Sequence, residues 1–459
     1  MKSLLLGLAA SLVLTSTAAA QFSFTIDTTQ RRQVWDGFGF AAVGSWNPTV
    51  AQLMSDAAFA TQISDDLKPA IVRIEVPESI QLAPDLDLTE LNLQNFDFSR
   101  FEPDGTFVQR LYQANPNLKI IGTVWSPPGW MKTNGQPALG ALRPDRYAHF
   151  GKFCAAAVVG FQQRYNAPFY AFSFQNEPRF ANPFHSCVYE PGEYAAMTAQ
   201  LAQSFQQFNV NTKVFGAENH AFVPSWITGY AQAIYDNPIA RARLDIHAIH
   251  GYATDGSSNQ SSLAGWQSLR NALAPMNWPK TWLTEESGQE PNWFGGDSGH
   301  GALWLGKTIH DAIVGGEVNA YVHWALTDPQ PSNCALMGLD QPTKKYHAFR
   351  QYARFIQPGM VRLGVAPSDG IVLVNAFIDP GNRQIQLVAL NMANAWATAN
   401  LNFRMPQGWR IARVQHVRTS GSDNSAVQPD LAFSPASTVL PLSPGSINTL
   451  TITYRAPRP

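Results

Sequence analysis

The chain has 459 residues, 45% of them hydrophobic, 12% aromatic and only 14% charged, against roughly 25% charged in an average soluble domain, which excludes a disordered polypeptide. Lys and Arg number 32 against 33 Asp and Glu, a formal net charge of -1, so no basic field exists to hold nucleic acid or an anionic membrane. The 13 Trp, 13 Tyr and 27 Phe form an aromatic surplus that a large core or a ligand surface must use.

Residues 1–20 carry Lys2, an apolar run from Leu4 to Leu14 and Ala18-Ala19-Ala20 before Gln21. That is the charged, apolar and small-residue order of a cleaved secretory signal. No later apolar run is long enough to span a bilayer, so the expectation is an exported chain that does not enter the membrane. Within 21–36 a lone strand at 22–27 (FSFTID) is expected to join the sheet of a later domain.

Eight β-branched and apolar runs follow, at 37–40 (GFGF), 70–76 (AIVRIEV), 119–125 (KIIGTVW), 168–176 (PFYAFSFQN), 212–218 (TKVFGAE), 244–250 (LDIHAIH), 279–285 (PKTWLTE) and 318–324 (VNAYVHW). Segments between them, such as 147–165, 191–208 and 302–314, repeat apolar residues at helical spacing. Eight β/α units imply an α/β fold, a closed (β/α)8 TIM barrel over 37–355. The loops after the third and fourth strands are expected to be extended. Past Pro358-Gly359 the helical period stops, and runs such as 370–376 (GIVLVNA), 384–390 (QIQLVAL) and 448–454 (NTLTITY) predict a side β-sandwich over 356–459, packed against the barrel.

Cys154 falls in an apolar helix and reads as a small core residue, while Cys187 and Cys334 lie in loops where a bridge and two free thiols both stay open. The three cysteines have no zinc spacing. His247 and His250, three apart on a strand, face opposite ways and cannot chelate one ion. Neither a metal nor a cofactor is expected. Asn259-Gln260-Ser261 is a glycosylation sequon of consequence only in a eukaryotic host.

The chemistry is sought at the C-terminal ends of barrel strands, where such folds keep their active sites. Glu177 follows Phe174-Gln175-Asn176 at the end of the fourth strand, and Glu285 closes the seventh in Trp282-Leu283-Thr284-Glu285. Side chains from strands so nearly opposite converge over the mouth. Glycoside hydrolysis needs such a pair, one carboxyl to protonate the leaving oxygen and one carboxylate to attack the sugar or activate water. A reach directly across the barrel favours the short separation of a retaining enzyme, about 5–5.5 Å. Glu286 points to the other side of an extended strand and ranks below Glu285.

Phe174-Gln175-Asn176-Glu177-Pro178 and Trp282-Leu283-Thr284-Glu285 resemble the acid/base and nucleophile motifs of clan A retaining glycosidases, and more narrowly of glycoside hydrolase family 30. Trp35-Asp36-Gly37-Phe38-Gly39, the segment 125–132 (WSPPGWMK), Pro342-Thr343-Lys344-Lys345-Tyr346 and the segment 354–359 (RFIQPG) are similar to other parts of that family, so the resemblance runs over about 22–455. It implies a barrel with a side β-domain and no catalytic metal. It makes Glu177 the acid/base and Glu285 the nucleophile, with Asn176 bonding the sugar 2-hydroxyl.

Arg73, at the end of the second strand, is expected to hold Glu285 ionised, and Tyr252 to donate to the same carboxylate. The plainer readings are a structural salt bridge and a core aromatic. Glu75, Glu218 and His250 are pocket or supporting residues. Trp125, Trp130 and Trp324 lie at or just past strand ends, where indole faces can stack on a pyranose; Trp46 and Trp293 are weaker candidates.

Gly296-Asp297-Ser298-Gly299 copies the surroundings of a serine-protease nucleophile, but neither a matching base segment nor a Gly-x-Ser-x-Gly elbow accompanies it. A catalytically inactive carbohydrate-binding protein is the other alternative, although both carboxylates are present. The expected substrate is a neutral β-glycan, with β-1,4-xylan first and β-1,6-glucan, β-1,6-galactan and glucosylceramide as alternatives, cleaved by a monomer. Relatives that demand a glucuronic acid branch hold it with an Arg from the loop after strand eight or strand one. Here 325–341 (ALTDPQPSNCALMGLDQ) and 41–48 (AAVGSWNP) have none, so glucuronate is not expected to be required.

Overall fold

The computed structural model describes residues 20–254, 262–296, 299–368 and 370–455. The secretory signal up to Ala19, the Asn259 sequon and Asp297-Ser298 lie outside the described residues. The first strand, β1 (Ala20–Val34), leads into eight parallel strands that close a barrel: β2 (Gly37–Ala42), β3 (Ile71–Val76), β4 (Lys119–Val124), β5 (Phe169–Ser173), β6 (Lys213–Ala221), β7 (Leu244–Tyr252), β8 (Thr281–Glu285) and β9 (Ala320–His323). Closure runs through β9 against β2, with Gly37 opposite Ala320 and Phe40 opposite His323. All eight strands fall on the runs read from the sequence.

Strand alternation sorts the barrel into two layers. Val72, Ile74 and Val76 of β3, with Ile120 and Val124 of β4, face the surrounding helices. Ile71, Ile121, Ala171, Phe215, Ile246, Ala248, Trp282 and Val322 point inward and fill the floor. One step higher the inward positions turn polar, as Arg73 on β3, Thr123 on β4 and His250 on β7. The floor closes the barrel to water from below, so polar groups above it must satisfy one another.

The loops at 125–146 and 174–190 after β4 and β5 are extended, as expected, but the loop at 77–103 after β3 is longer than either. Its lack of helical or strand periodicity gave no sequence signal. After β9 the chain forms a small sheet of β10 (Thr327–Asp328), β11 (Met337–Gly338) and β12 (Gln341–Pro342), then the helix Lys344–Ala353.

The side domain is a single ten-stranded sheet. The expected side β-domain is present and β1 is its seam, antiparallel to β13 (Val361–Ala366) on one edge and parallel to β16 (Ala397–Arg404) on the other. The sheet curls around one core built from Phe24, Ile26, Leu363, Leu387, Leu401, Leu440 and Ile452. Its other apolar face joins the barrel helices, where Phe377, Leu390 and Ile447 share a core with Ile309 and Tyr352. Trp35 sits at this junction, fully buried and packed on Phe38 and Phe377 at ring separations of 4.6 and 5.8 Å. All three cysteines are free thiols, so no bridge joins Cys187 to Cys334.

Two glycines test the packing in opposite directions. A Cβ on Gly39 of β2 would stand 2.2 Å from the Ile71 carbonyl oxygen of β3, and neither backbone can yield. Gly229, inside the helix Pro224–Asp236, meets nothing within 4 Å. Gly39→Ala is expected to lower unfolding stability by about 2–3 kcal/mol, and Gly229→Ala to raise it by about 0.5–1 kcal/mol, both read by denaturant titration.

Candidate active site

Arg73 is the hub of the polar layer and is fully buried. Its Nη1 donates to Glu285 Oε2 at 2.6 Å, its Nη2 to Asn176 Oδ1 at 2.7 Å and to Glu218 Oε1 at 3.2 Å, and its Nε to Thr123 Oγ1 at 3.2 Å. The guanidinium plane lies 4.6 Å from the Trp125 ring and 5.8 Å from Trp324. Strands β3, β4, β6 and β8 and the turn after β5 are therefore tied through one cation.

Glu285 is bonded on both oxygens, because Tyr252 donates its hydroxyl to Oε1 at 2.9 Å while Arg73 holds Oε2. Strict alternation from the inward Trp282 would turn Glu285 outward. The β7–β8 register pairs Ile249 with Leu283 and then His250 with Glu285, skipping Thr284, and this irregularity brings Glu285 to the mouth. Glu286 is fully buried, with Oε1 accepting from Gln289 at 3.2 Å.

Glu177 lies beyond the end of β5 with φ 46°, a left-handed backbone that a residue before proline rarely adopts. Glu218 shares that conformation at φ 51°. Each costs on the order of 1 kcal/mol and persists where surrounding bonds over-determine the chain. Glu177 Oε1 meets His250 Nδ1 at 3.0 Å, and His250 Nε2 lies 3.5 Å from Glu218 Oε1 and 3.8 Å from Glu285 Oε2.

The charges sort themselves by surroundings. Burial raises the Glu177 carboxyl above the ordinary range, the Glu285 charge raises it further, and the His250 bond only partly offsets this. Burial would also raise Glu218, but Arg73 and His250 outweigh it and hold that carboxyl below its usual value. Burial disfavours the charged form of His250, yet Glu285, Glu177 and Glu218 raise it to about 9. At neutral pH His250 is an imidazolium donating from both nitrogens.

Glu177, His250 and Glu285 each place a potential ligand atom within 4.8 Å of the others. The same figure brings a carboxylate oxygen of Glu177 within 4.8 Å of one on Glu285.

Of the tryptophans expected at the mouth, Trp125 and Trp324 are brought together at a ring separation of 5.9 Å. Trp46, the weaker candidate, completes the group: it lies 6.0 Å from Trp125 and 5.3 Å from Trp324, is 50% exposed, and donates Nε1 to Glu75 Oε2 at 2.5 Å. Trp125 itself is buried and backs the guanidinium, leaving Trp46 and the partly exposed Trp324 to face solvent. Trp130 is not part of this group; it donates to Gln81 at 3.2 Å and packs on His149 and Arg146. Trp293 is buried against the side domain, donating to the Gly445 carbonyl at 2.7 Å, which removes it as a sugar platform. Trp46 closes the short helical turn Gly44–Trp46, outside any strand register, so its position had no periodic signal.

Paired carboxylates over a closed barrel floor, with a buried cation and an aromatic lip, define the chain as a glycoside hydrolase. Residues 77–259 match the family model described as the glycosyl hydrolase family 30 TIM-barrel domain. It is 24% identical over 435 residues to the glucuronoxylanase XynC of Bacillus subtilis (strain 168), spanning 92% of this chain and 89% of the relative. It is 21% identical over 293 residues to an endo-1,6-beta-D-glucanase of Neurospora crassa, spanning 60% and 58%. A GH30 endoxylanase from Clostridium papyrosolvens C71 superposes with a TM-score of 0.76 at 22% identity, over 94% of this chain and 100% of that one. No helix among the described residues is long and apolar enough to cross a membrane.

His250 gives the site a pH signature. A group that binds its proton more tightly when folded stabilises the fold below its unfolded value, about 6.5, and that contribution is lost as pH rises through about 9. The thermal midpoint is therefore expected to fall between pH 6.5 and 9.5, and His250→Gln to flatten that fall. An equally steep profile in the variant would place the titration elsewhere.

Proposed function

We propose that this glycosidase works with retention, with Glu285 as nucleophile and Glu177 as acid/base, on a neutral β-linked polysaccharide, β-1,4-xylan first. The carrying observation is the unequal environment of the two carboxylates. Glu285 has a hydrogen-bond donor on each oxygen, one of them a buried cation, which fixes the carboxylate in place for attack. Glu177 is raised by burial and by its neighbour's charge, which favours the protonated form a general acid needs.

The steps follow. Glu177 gives its proton to the leaving glycosidic oxygen while a Glu285 oxygen attacks the anomeric carbon, and the glycosidic bond breaks as the glycosyl ester forms. With Glu285 esterified, its charge no longer raises Glu177, which then accepts a proton from the water that hydrolyses the ester. Asn176 has its carbonyl oxygen taken by Arg73, so its amide NH2 is left to donate to a sugar hydroxyl as charge develops. Trp46 and Trp324 offer apolar faces to the sugar on the Glu285 side.

Glu285→Gln is expected to abolish turnover. Glu177→Gln should lose about 10^2–10^4-fold on polysaccharide, keep activity on glycosides with good leaving groups, and be partly rescued by azide. Equal and unrescued losses would count against these roles, and a product of inverted configuration by NMR would exclude retention.

The substrate reading is supported by the family's xylanases and by the chain's lack of net charge. Neither 41–48 nor 325–341 contains an arginine or lysine, which supports action without a required glucuronate branch at either loop. Among glucuronoxylan, arabinoxylan, linear xylo-oligosaccharides, β-1,6-glucan and β-1,6-galactan, linear xylan is expected to be cut. Cleavage only at glucuronate-substituted sites would overturn this. We place the enzyme outside the cell, on the strength of the N-terminal secretory pattern.

A further inference from the structure

The turn that carries Glu177 continues into an exposed group the reaction above does not use. The Phe180 amide donates to the Glu177 carbonyl at 2.9 Å, a tight turn that puts Arg179 at its tip. Arg179 is exposed, and its guanidinium carbon lies 4.6 Å from the ring of Trp226 in the helix Pro224–Asp236 that follows β6. Among the described residues the guanidinium has neither a hydrogen bond nor an ion pair, a rare state for an arginine held in place. The acidic residues toward this side are Glu190 and Glu193, and both side chains are occupied by the capping box at the start of the helix Pro191–Gln207.

Phe180 is 39% exposed and stacks on His220 at 4.6 Å with planes 17° apart, and His220 packs on Trp226 at 5.4 Å. His220 is 8% exposed, and its Nδ1 has no hydrogen-bond partner among the described residues. Burial, with His250 and Arg179 adding to it, lowers His220 to about 4, so it is neutral and does not compete with Arg179 for an anion. Two aromatic faces and an unpaired planar cation thus stand on the turn that carries Glu177 and on the helix that follows β6.

We propose that Arg179, Phe180 and Trp226, supported by His220, form a subsite for the leaving-group end of the glycan, and that Arg179 binds a carboxylate carried there, as on a uronic acid branch. This rests on Glu177 being the acid/base, since the group that protonates the glycosidic oxygen stands between the cleaved sugar and the leaving one. The stacked guanidinium is preorganised for a two-point contact with a carboxylate, which an ammonium would not reproduce. The result is a preference on the leaving-group side, distinct from any requirement on the other.

Calorimetric titration of the inactive full-length Glu285→Gln protein tests it without turnover. The probes are a uronic-acid-substituted xylo-oligosaccharide and its carboxyl-reduced counterpart, with methyl glucuronoside against methyl glucoside read by NMR to remove dependence on the xylan backbone. The acidic member is expected to bind about fivefold tighter. Adding Arg179→Gln should erase the ratio, and Arg179→Lys should restore only part of it. Equal affinity within both probe pairs, or a preference that survives Arg179→Gln, would overturn the proposal. A wild-type enzyme that turns over no xylan would count against the substrate reading alone, because the monosaccharide pair still reads the subsite.

Discussion

One buried guanidinium organises the catalytic end of this barrel. Moving such an ion out of water costs several kcal/mol, and the cost is offset only when geometry is good and the remaining donors are filled. Arg73 meets that condition with two carboxylates, an amide oxygen and a hydroxyl, and with an indole on its face. Removing it would leave Glu218 and Glu285 buried without their cation. The arrangement therefore fixes Glu285, Asn176 and Glu218 relative to one another before any sugar arrives, which is the preorganisation that transition-state stabilisation requires.

The second constraint is that the charges above the barrel floor must be balanced among neighbouring side chains. Three glutamates surround His250, and with Arg73 they settle as two cations against acids of unequal strength. Glu218 and Glu285 both face Arg73, whereas Glu177 does not bond it and has its carboxyl raised by burial and by the Glu285 charge. The division of labour we propose between Glu177 and Glu285 follows from which of them the cation can reach. The aromatic surplus serves the same end: much of it fills the barrel wall and its helices, and Trp46, Trp125 and Trp324 wall the charged cluster while leaving faces for a neutral ligand.

The eight strands were legible because β-branched runs such as 71–76 repeat at a spacing that admits a crossover helix, and because strand ends display titratable residues. Glu177, Glu285, Arg73 and Tyr252 were found this way and Asn176 came from the family resemblance, and the structure brings all of them together. What the sequence hid was non-local. The inward turn of Glu285 depends on a register irregularity at Thr284, and the fate of each Trp depends on its loop's path: Trp46 reaches the mouth from a loop without periodicity, Trp293 turns to the side domain, and Trp130 is held by Gln81 and Arg146. The curl of the side domain was hidden for the same reason, since β1 bonds partners hundreds of residues away along the chain. Arg179 had no motif at all, and only the ring beneath it shows why it is there.

The central claim is that the doubly bonded Glu285 attacks the sugar. Incubation with an activated 2-deoxy-2-fluoro xyloside, followed by intact mass measurement and peptide mapping, tests it most directly, because the fluorine slows hydrolysis of the glycosyl ester and lets it accumulate. A stoichiometric adduct on the peptide containing Glu285 is the predicted result. An adduct on Glu177, or turnover of the same reagent through a pathway that leaves no adduct, would contradict it.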